Sequence, residues 1–547
     1  MARGAAGVSK TVRKNNSRAA ANKTAAHEGG LRQAMTWAHT WIGVLLGGVL
    51  MVAFFMGSVA VFDREIDRWM MPATRIEAAP PGIDIDTVVP RAVDALAAGK
   101  PLREWAVTLP EARTPVMIAR VRYAAAGGQI RLADPRTGAL LPDAGTLGAS
   151  SFFYPLHYNL HLRVWNIGYW LVGLAAMAML AAIVSGVIVH VRIFRDFFTF
   201  RPRKQLQRSL LDLHNLTGVL ALPFHAVISF SGICIVYMIL VPAGINALYQ
   251  QPNTFYEQAL SGYSRPAAGV AAPMAPLGPM VDAARARWGG AAPAAIRMWN
   301  PGDANAVVKI SRSVGDRVSL ADDAAYFDGA TGALLHHAPL QPAATTQRFL
   351  TGMHFIAFDH WPLRWLYFLG GLAGCVLIGT GQLYWLDKRH ARHGERGVRL
   401  AAAVTAAMTT GLVIATLAMM VANRLLPVTL PSREFIEAGL FFLVWLATAI
   451  HARVAMRPGS RTLVPWRQQC LAIAALALAA PVCNGITTGD WLPLALARGQ
   501  FAVAGVDIAL LLTGALALTT ARRVRRVEAA RAAAAPNLEE AKHAERA

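Results

Sequence analysis

The run from Asp212 to Ile235, DLHNLTGVLALPFHAVISFSGICI, carries no charge after Asp212 and is long enough to cross a bilayer as a helix. It opens with His214, carries His225 at mid-depth and has Gly232 near its far end. The pattern recurs near the N-terminus, where His39-Thr-Trp-Ile-Gly43 answers His214-Asn-Leu-Thr-Gly218 and Met56-Gly57-Ser58 answers Ser231-Gly232-Ile233. In both copies the glycine follows the histidine by eighteen residues. That is about five turns of a straight helix, which puts both on one face. An imidazole at the same place in two membrane helices predicts a two-fold arrangement around something that imidazoles hold.

Composition agrees with a membrane setting. Of 547 residues, 55% are hydrophobic and only 16% charged, and the mean hydropathy is +0.37. The net charge of +21 invites a nucleic-acid reading, but the basic residues cluster in short segments between apolar runs, as the positive-inside rule requires. No nucleic-acid partner is therefore expected. Cys234, Cys375, Cys470 and Cys483 all fall inside apolar runs without metal-motif spacing, so they read as packing residues rather than a disulfide framework.

Taken in order, residues 1–34 read as a disordered basic cytoplasmic tail without the apolar core of a signal peptide. Residues 35–62 hold span 1. Residues 63–150 read as an outer α+β domain, with a helix over 83–98 and strand-like runs at 105–109, 116–121 and 129–132. Residues 151–241 hold spans 2 and 3, joined by a loop (192–208) with six Lys/Arg. A second α+β domain fills 242–352 and span 4 fills 353–390. The turn Asp134-Pro-Arg-Thr-Gly138-Ala-Leu-Leu of the first domain returns as Asp328-Gly-Ala-Thr-Gly332-Ala-Leu-Leu in the second. Residues 391–521 hold four further spans, near 400–422, 434–452, 469–487 and 499–520, and 522–547 form a cytoplasmic tail. The expected fold is a polytopic α-helical membrane protein of about eight transmembrane helices with two small α+β domains outside. Its first 390 residues are a repeat of span, domain and span, and repeats of this kind meet at a shared site.

Ionisable groups are costly in lipid and usually line a functional site. His39 and His214 fall at the cytoplasmic ends of spans 1 and 3, and His190 at that of span 2. His157 and His161, four apart, precede span 2, and His354 has the matching place before span 4: His157 and His354 stand sixteen residues before Gly173 and Gly370. One imidazole pair is thus expected near each membrane face. Two imidazoles without carboxylates or thiolates suit haem iron with bis-histidine ligation, with Gly43, Gly57, Gly218 and Gly232 making room for a flat ring. A divalent metal would recruit acidic or thiolate ligands as well, and the plainest reading is that each histidine only satisfies a hydrogen bond. His225 reads as an alternative ligand, a polar relay between two cofactors, or a packed side chain beside Pro223. His190 has the same standing, with Trp385 in its place in span 4. His390, His393 and His451 read as solvated, and Asp507 as a structural pair or part of a proton path.

Several of these segments together resemble a known family: His39-Thr-Trp-Ile-Gly43, FDREIDRWM after span 1, LHYNLH (156–161), FFTFRPRK after span 2, DLHNLTGVLALPFH with the following Ser-Gly, and Met353-His354-Phe355. The chain resembles the PepSY-associated transmembrane family, also described as iron-regulated or PiuB-like membrane proteins, over about residues 35–390. The resemblance implies that the two outer domains are PepSY domains and that the protein sits in a bacterial inner membrane. It further implies two b-type haems and reduction of ferric siderophores in iron acquisition. On that expectation the inner site is His39 with His214 and the outer site His354 with His157 or His161. A cytoplasmic or quinol donor would feed electrons through them to an Fe(III) complex between the outer domains. No flavin or nicotinamide fingerprint is present, so the donor is external. The competing expectations are a PepSY membrane protein that binds or regulates a partner, and a proton-coupled transporter using Asp507 and His225. The resemblance does not reach the last four spans.

Overall fold

The computed structural model describes residues 30–77, 82–190, 206–249, 254–255, 258, 261–321, 323–337, 340–390, 395–456 and 463–544. Most of the expected N-terminal tail, most of the basic loop 192–208, His393 and residues 457–462 lie outside the described residues.

Among the described residues six helices are long and apolar enough to cross a membrane: Val164–Val189, Trp361–Arg389, Val398–Leu425, Arg433–Ala455, Val464–Thr488 and Phe501–Ala530. They supply spans 2, 4, 5, 6, 7 and 8. Spans 1 and 3 are bent pairs, Gly30–Leu45 with Gly47–Ala60 at 62° and Gln207–Leu220 with Leu222–Ile235 at 65°. Counting each pair as one span gives eight.

Each break comes seven residues after the histidine, at Leu46 after His39 and at Ala221 after His214. In span 3 the cause is Pro223 in the first turn of the second segment, which has no N–H to continue the ladder. In span 1 the pair Gly47-Gly48 follows the break and weakens the helix there. The bends correct two expectations that assumed straight helices. The straight five-turn path from His39 to Gly57, or from His214 to Gly232, is broken at these bends, as is the straight path from His214 to His225.

The two expected α+β domains join into one antiparallel sheet of seven strands in the order β3-β2-β1-β4-β5-β6-β7. Strands β1 (Leu102–Thr108), β2 (Met117–Tyr123) and β3 (Gly128–Ala133) come from the first segment. Strands β4 (Pro293–Trp299), β5 (Val307–Arg312), β6 (Ala324–Asp328) and β7 (Leu334–His336) come from the second. The seam is β1 against β4, with Ala106 opposite Arg297. Each half covers its former edge with the other, as unpaired strand edges demand. The repeated turns take the same form, with Gly138 at φ 70° and Gly332 at φ 78°, where only glycine is unstrained.

Side chains alternate across the sheet. Met117, Ala119 and Val121 face a core shared with Ile296, Val308 and Phe327 and with the helices Ile85–Ala97 and Leu277–Arg287. Ile118, Arg120, Ile130 and Leu132 face the other way, over a cavity at the end of the helical bundle. That end is called the sheet side below.

Spans 5, 7 and 8 pack around Leu412, Met419, Ile473, Ala477, Val503 and Leu510, with Phe441 of span 6. The same core takes in Trp69, Met70, Phe152, Phe153 and Leu156, which precede span 2 or follow span 1. DREIDRWM forms a helix, Asp63–Met70.

Candidate functional site

The site is built from four short runs in four helices, and one rule places each histidine. His39 Nδ1 donates to the Ala182 carbonyl at 2.9 Å, His214 Nδ1 to Leu377 at 2.8 Å and His157 Nδ1 to Ala53 at 2.7 Å. His354 has Ile228 as its backbone partner, and its Nδ1 also lies 3.1 Å from Ser231 Oγ. In all four cases the carbonyl belongs to the residue four before a glycine: Gly186, Gly381, Gly57 and Gly232. The glycine is what admits the ring. A Cβ there would lie 3.1 Å from His39 Cε1, 3.0 Å from His214 Cε1, 2.9 Å from His157 Nδ1 and 3.1 Å from His354 Cε1.

For His39, His214 and His157 the carbonyl can only accept, and for His354 the Ser231 hydroxyl spends its proton on the Val227 carbonyl, so Nδ1 carries the proton and Nε2 keeps its lone pair in the neutral ring. None of the four Nε2 atoms has a hydrogen-bond partner among the described residues. Oriented imidazoles of this kind, Nδ1–H fixed on a carbonyl and Nε2 open, are the usual preparation of a metal ligand.

The four rings form two pairs. His39 and His214 have ring centres 6.2 Å apart at 89°, and His157 and His354 are 5.9 Å apart at 32°. An imidazole nitrogen sits about 2 Å from a first-row metal. With the ring centre about 1 Å behind that nitrogen, two axial imidazoles on one ion stand about 6 Å apart. Among the described residues no three His, Cys, Asp or Glu side chains gather where they would hold a metal ion. Two imidazoles therefore suit an iron whose other four ligands come from a macrocycle, and the residues present fit a bis-histidine haem at each pair.

The structure separates the other candidates from these pairs. Leu160 and His161 take positive φ, 52° and 55°, which ends the helix Tyr154–Asn159. His161 therefore leaves the face it would share with His157; its Nε2 donates to the Phe152 carbonyl at 2.9 Å and its ring stacks on Phe152 at 4.7 Å. His225 Nε2 reaches the Gly370 carbonyl at 3.2 Å, with the ring edge-on to Phe54 at 5.3 Å. It is 1% exposed. His190 caps span 2, and its Nε2 meets Asn215 Nδ2 at 2.7 Å, one residue from His214. Gly43 has no atom within 4 Å of where a Cβ would stand and Gly218 meets only Leu377, so neither seats an imidazole. His451 lies 2.9 Å from Gln468 Oε1.

The pair His157–His354 opens into a cavity of about 1090 Å3 between the bundle and the sheet. Glu65 holds Arg113 with both oxygens, at 2.8 and 2.6 Å. Asp67 accepts the Ala149 and Ser150 amides at 2.7 and 3.2 Å, yet burial and then the neighbouring Asp63 push its carboxyl up to about 6. Burial, with Asp359 adding to it, also raises Glu111.

Asp507, the deepest acid of the spans, accepts from Trp69 Nε1 at 2.7 Å and is 1% exposed. No contact joins it to His225 among the described residues. The four backbone carbonyls that orient the imidazoles were invisible in the sequence, because carbonyls carry no side-chain signal. Their only trace was the recurring serine or threonine before three of the glycines: Ser185, Ser231 and Thr380.

A family model described as the PepSY-associated TM region matches residues 36–388, which include all four paired histidines and their glycines. A Pseudomonas aeruginosa protein described as uncharacterized is 29% identical over 385 residues, covering 65% of this chain and 91% of that protein. The four C-terminal spans lie almost wholly beyond the matched region. With well over half of its length matched, the chain belongs to the PepSY-associated TM family.

Proposed function

We propose that the protein is a di-haem b-type electron-transfer protein of a bacterial inner membrane that reduces ferric iron complexes, such as ferric siderophores, at the sheet side. The observation that carries this reading is the spacing of the two imidazole pairs, 6.2 and 5.9 Å between ring centres, each ring with Nδ1 committed and Nε2 open. His39 and His214 would hold one haem and His157 and His354 the other. A haem at each pair supplies one-electron chemistry, which two imidazoles alone do not.

The chain's own part is orientation and enclosure. Fixed Nδ1 contacts set the tautomers, and four glycines let the rings seat flush on neighbouring helices. The bends after His39 and His214 come at equivalent positions, and the sheet is made of two halves with matching turns. Both features support a duplicated unit of span, half-sheet and span. On this reading the sheet side is periplasmic, both termini are cytoplasmic, and the cavity over His157 and His354 receives the Fe(III) complex. The donor is a quinol or a cytoplasmic protein.

Purified protein expressed with ample haem should give a six-coordinate low-spin b-type spectrum, read as dithionite-reduced minus oxidised. His214→Ala and His354→Ala should each remove about half of the haem, and both should abolish reduction of an added ferric complex. Haem-free wild-type protein would sink the proposal and leave a binding or regulatory role.

A further inference from the structure

The cavity over His157 and His354 has arginines on two walls. Arg64 and Arg68 come from the helix Asp63–Met70, and Arg120 and Arg131 from strands β2 and β3. Their pairing is uneven. Arg113, also on the wall, is fully engaged by Glu65, and Arg364 donates to the Phe358 carbonyl at 2.8 Å. Arg131 donates to the Leu141 carbonyl at 2.9 Å.

Arg68 has no ion pair or side-chain hydrogen bond among the described residues, and its Nε is buried without a partner. Arg120 likewise has no ion pair among them, and burial, then the charge of Arg64, lowers its affinity for its proton. Among the described residues Arg64 pairs with Asp63 alone, at 3.8 Å, while its charge also acts on Glu111; Asp63 also faces Arg113 at 3.9 Å. Asp67 is bound to backbone amides.

Two cations four residues apart on one helix face repel, and a partly buried guanidinium without an acceptor gives up hydration for nothing. At Arg68 the charge of Glu65 offsets part of this. Both arrangements become useful when a ligand brings oxyanions into the cavity, since a guanidinium fork matches a carboxylate bidentately. We infer that Arg68, flanked by Arg64 and Arg120, forms an oxyanion-binding wall that takes the carboxylates of the ligand in the sheet-side cavity.

This rests on the reading of that cavity as the acceptor site, and it narrows the acceptor to carboxylate-bearing, net anionic iron chelates. The same chemistry has a second source, the propionates of a haem held by His157 and His354. The two sources are separable.

Gallium(III) citrate mimics a ferric chelate but accepts no electron. Its affinity for the full-length protein in detergent should be measured by calorimetry for wild type, Arg68→Gln, Arg68→Lys and Arg120→Gln. Haem content is read from the same samples, and Arg136→Gln, at the exposed Asp134 turn, is the control. Arg68→Gln should weaken binding at least tenfold, Arg68→Lys less, and Arg136→Gln not at all, and wild-type binding should weaken as salt rises. Unchanged haem content then assigns the wall to the chelate. Loss of about half of the haem in Arg68→Gln, with gallium citrate affinity intact, assigns it to propionates. If Arg68→Gln alters neither quantity, or if wild type binds no gallium citrate and Arg68→Gln keeps its haem, the inference is overturned. Gallium citrate binding that depends on Arg68 in a haem-free protein would uphold this wall while removing the electron-transfer reading.

Discussion

Two halves of the membrane region bury polar groups in opposite ways. In spans 1 to 4 three of the paired imidazoles have Nδ1 on a carbonyl and His354 has it on the Ser231 hydroxyl, while no Nε2 of the four is claimed among the described residues. In spans 5 to 8 two networks of buried polar groups close largely on themselves. Arg433 Nη2 lies 3.1 Å from Glu437 Oε1, Asn423 Nδ2 donates to the same oxygen at 3.1 Å, and Thr146 donates to Glu437 Oε2. Arg75 bridges Asp490 at 2.7 Å and Asn484 at 2.9 Å, and Trp69 reaches Asp507. Only Arg433 Nε and Asp507 Oδ2 lack partners in these two networks. Sequence alone marks both halves as membrane helices with unusual polar residues. Satisfaction separates them, because a closed network joins elements while an open nitrogen is left for a ligand.

What the closed networks join is specific. Arg433 also donates to the Ala144 carbonyl at 2.8 Å, and Phe152 packs edge-on against Phe441 at 5.0 Å. Spans 5 to 8 therefore hold residues 144–153, the segment immediately before His157. The family match stops near residue 388, yet the region beyond it braces one of the two pairs.

The largest effect should come from opening a closed network. Glu437 is 0% exposed, and Glu437→Ala leaves Arg433 buried without its acid. Removing one partner of a buried pair typically costs about 3–5 kcal/mol, whereas replacing both by apolar residues is often neutral. Thermal unfolding in detergent should therefore show a larger drop for Glu437→Ala than for Arg433→Leu with Glu437→Leu, even though the double variant also loses the bonds from Arg433 to Ala144 and Asn423. Equal losses would mean that the pair is not a closed unit, and the contrast between the halves would fail.

A middle-sized effect tests the seats of the imidazoles. In Gly57→Ala the new methyl would stand 2.9 Å from His157 Nδ1, so the ring must shift from the Ala53 carbonyl. Overpacking of this kind costs about 1–3 kcal/mol. The sheet-side pair should lose haem occupancy while His39 and His214 retain theirs. Gly43→Ala meets nothing within 4 Å and should leave both sites intact. Identical spectra for the two variants would show that glycine at 57 is not a seat.

The pairs were largely legible in the sequence because the chain says everything twice. Equal spacings tied His39 to His214 and His157 to His354, and tied Gly57 to Gly232. Repetition did not reveal which helix each glycine faces, and it suggested Gly43 and Gly218 as well. The single sheet was not legible, since β1 and β4 are about 190 residues apart and hydrophobic alternation does not say which edge meets which. Nor were the bends: Pro223 was visible, but its counterpart at Leu46 has no proline. Spans 5 to 8 were read correctly as helices, while the partners of Glu437 and Asp507 come from distant segments that no local pattern connects.

The smallest effect concerns His161, the one candidate that sequence spacing placed beside His157 and backbone geometry took away. Its φ of 55° is in the left-handed region, where histidine and asparagine are tolerated better than most residues. His161→Asn should therefore keep the chain path after Asn159 and lose two things. One is the hydrogen bond to the Phe152 carbonyl, the other the stack on Phe152, together about 1–2 kcal/mol of local stability. Haem content and the low-spin spectrum should not change, because Nε2 of His161 carries its proton toward a carbonyl and offers no lone pair there. The readout is sharp, since His157→Ala in parallel should empty the same sheet-side site. If His161→Asn removes as much haem as His157→Ala does, the ring rotates to ligate. A hydrogen bond to a carbonyl would then not distinguish a structural imidazole from a ligand in this bundle.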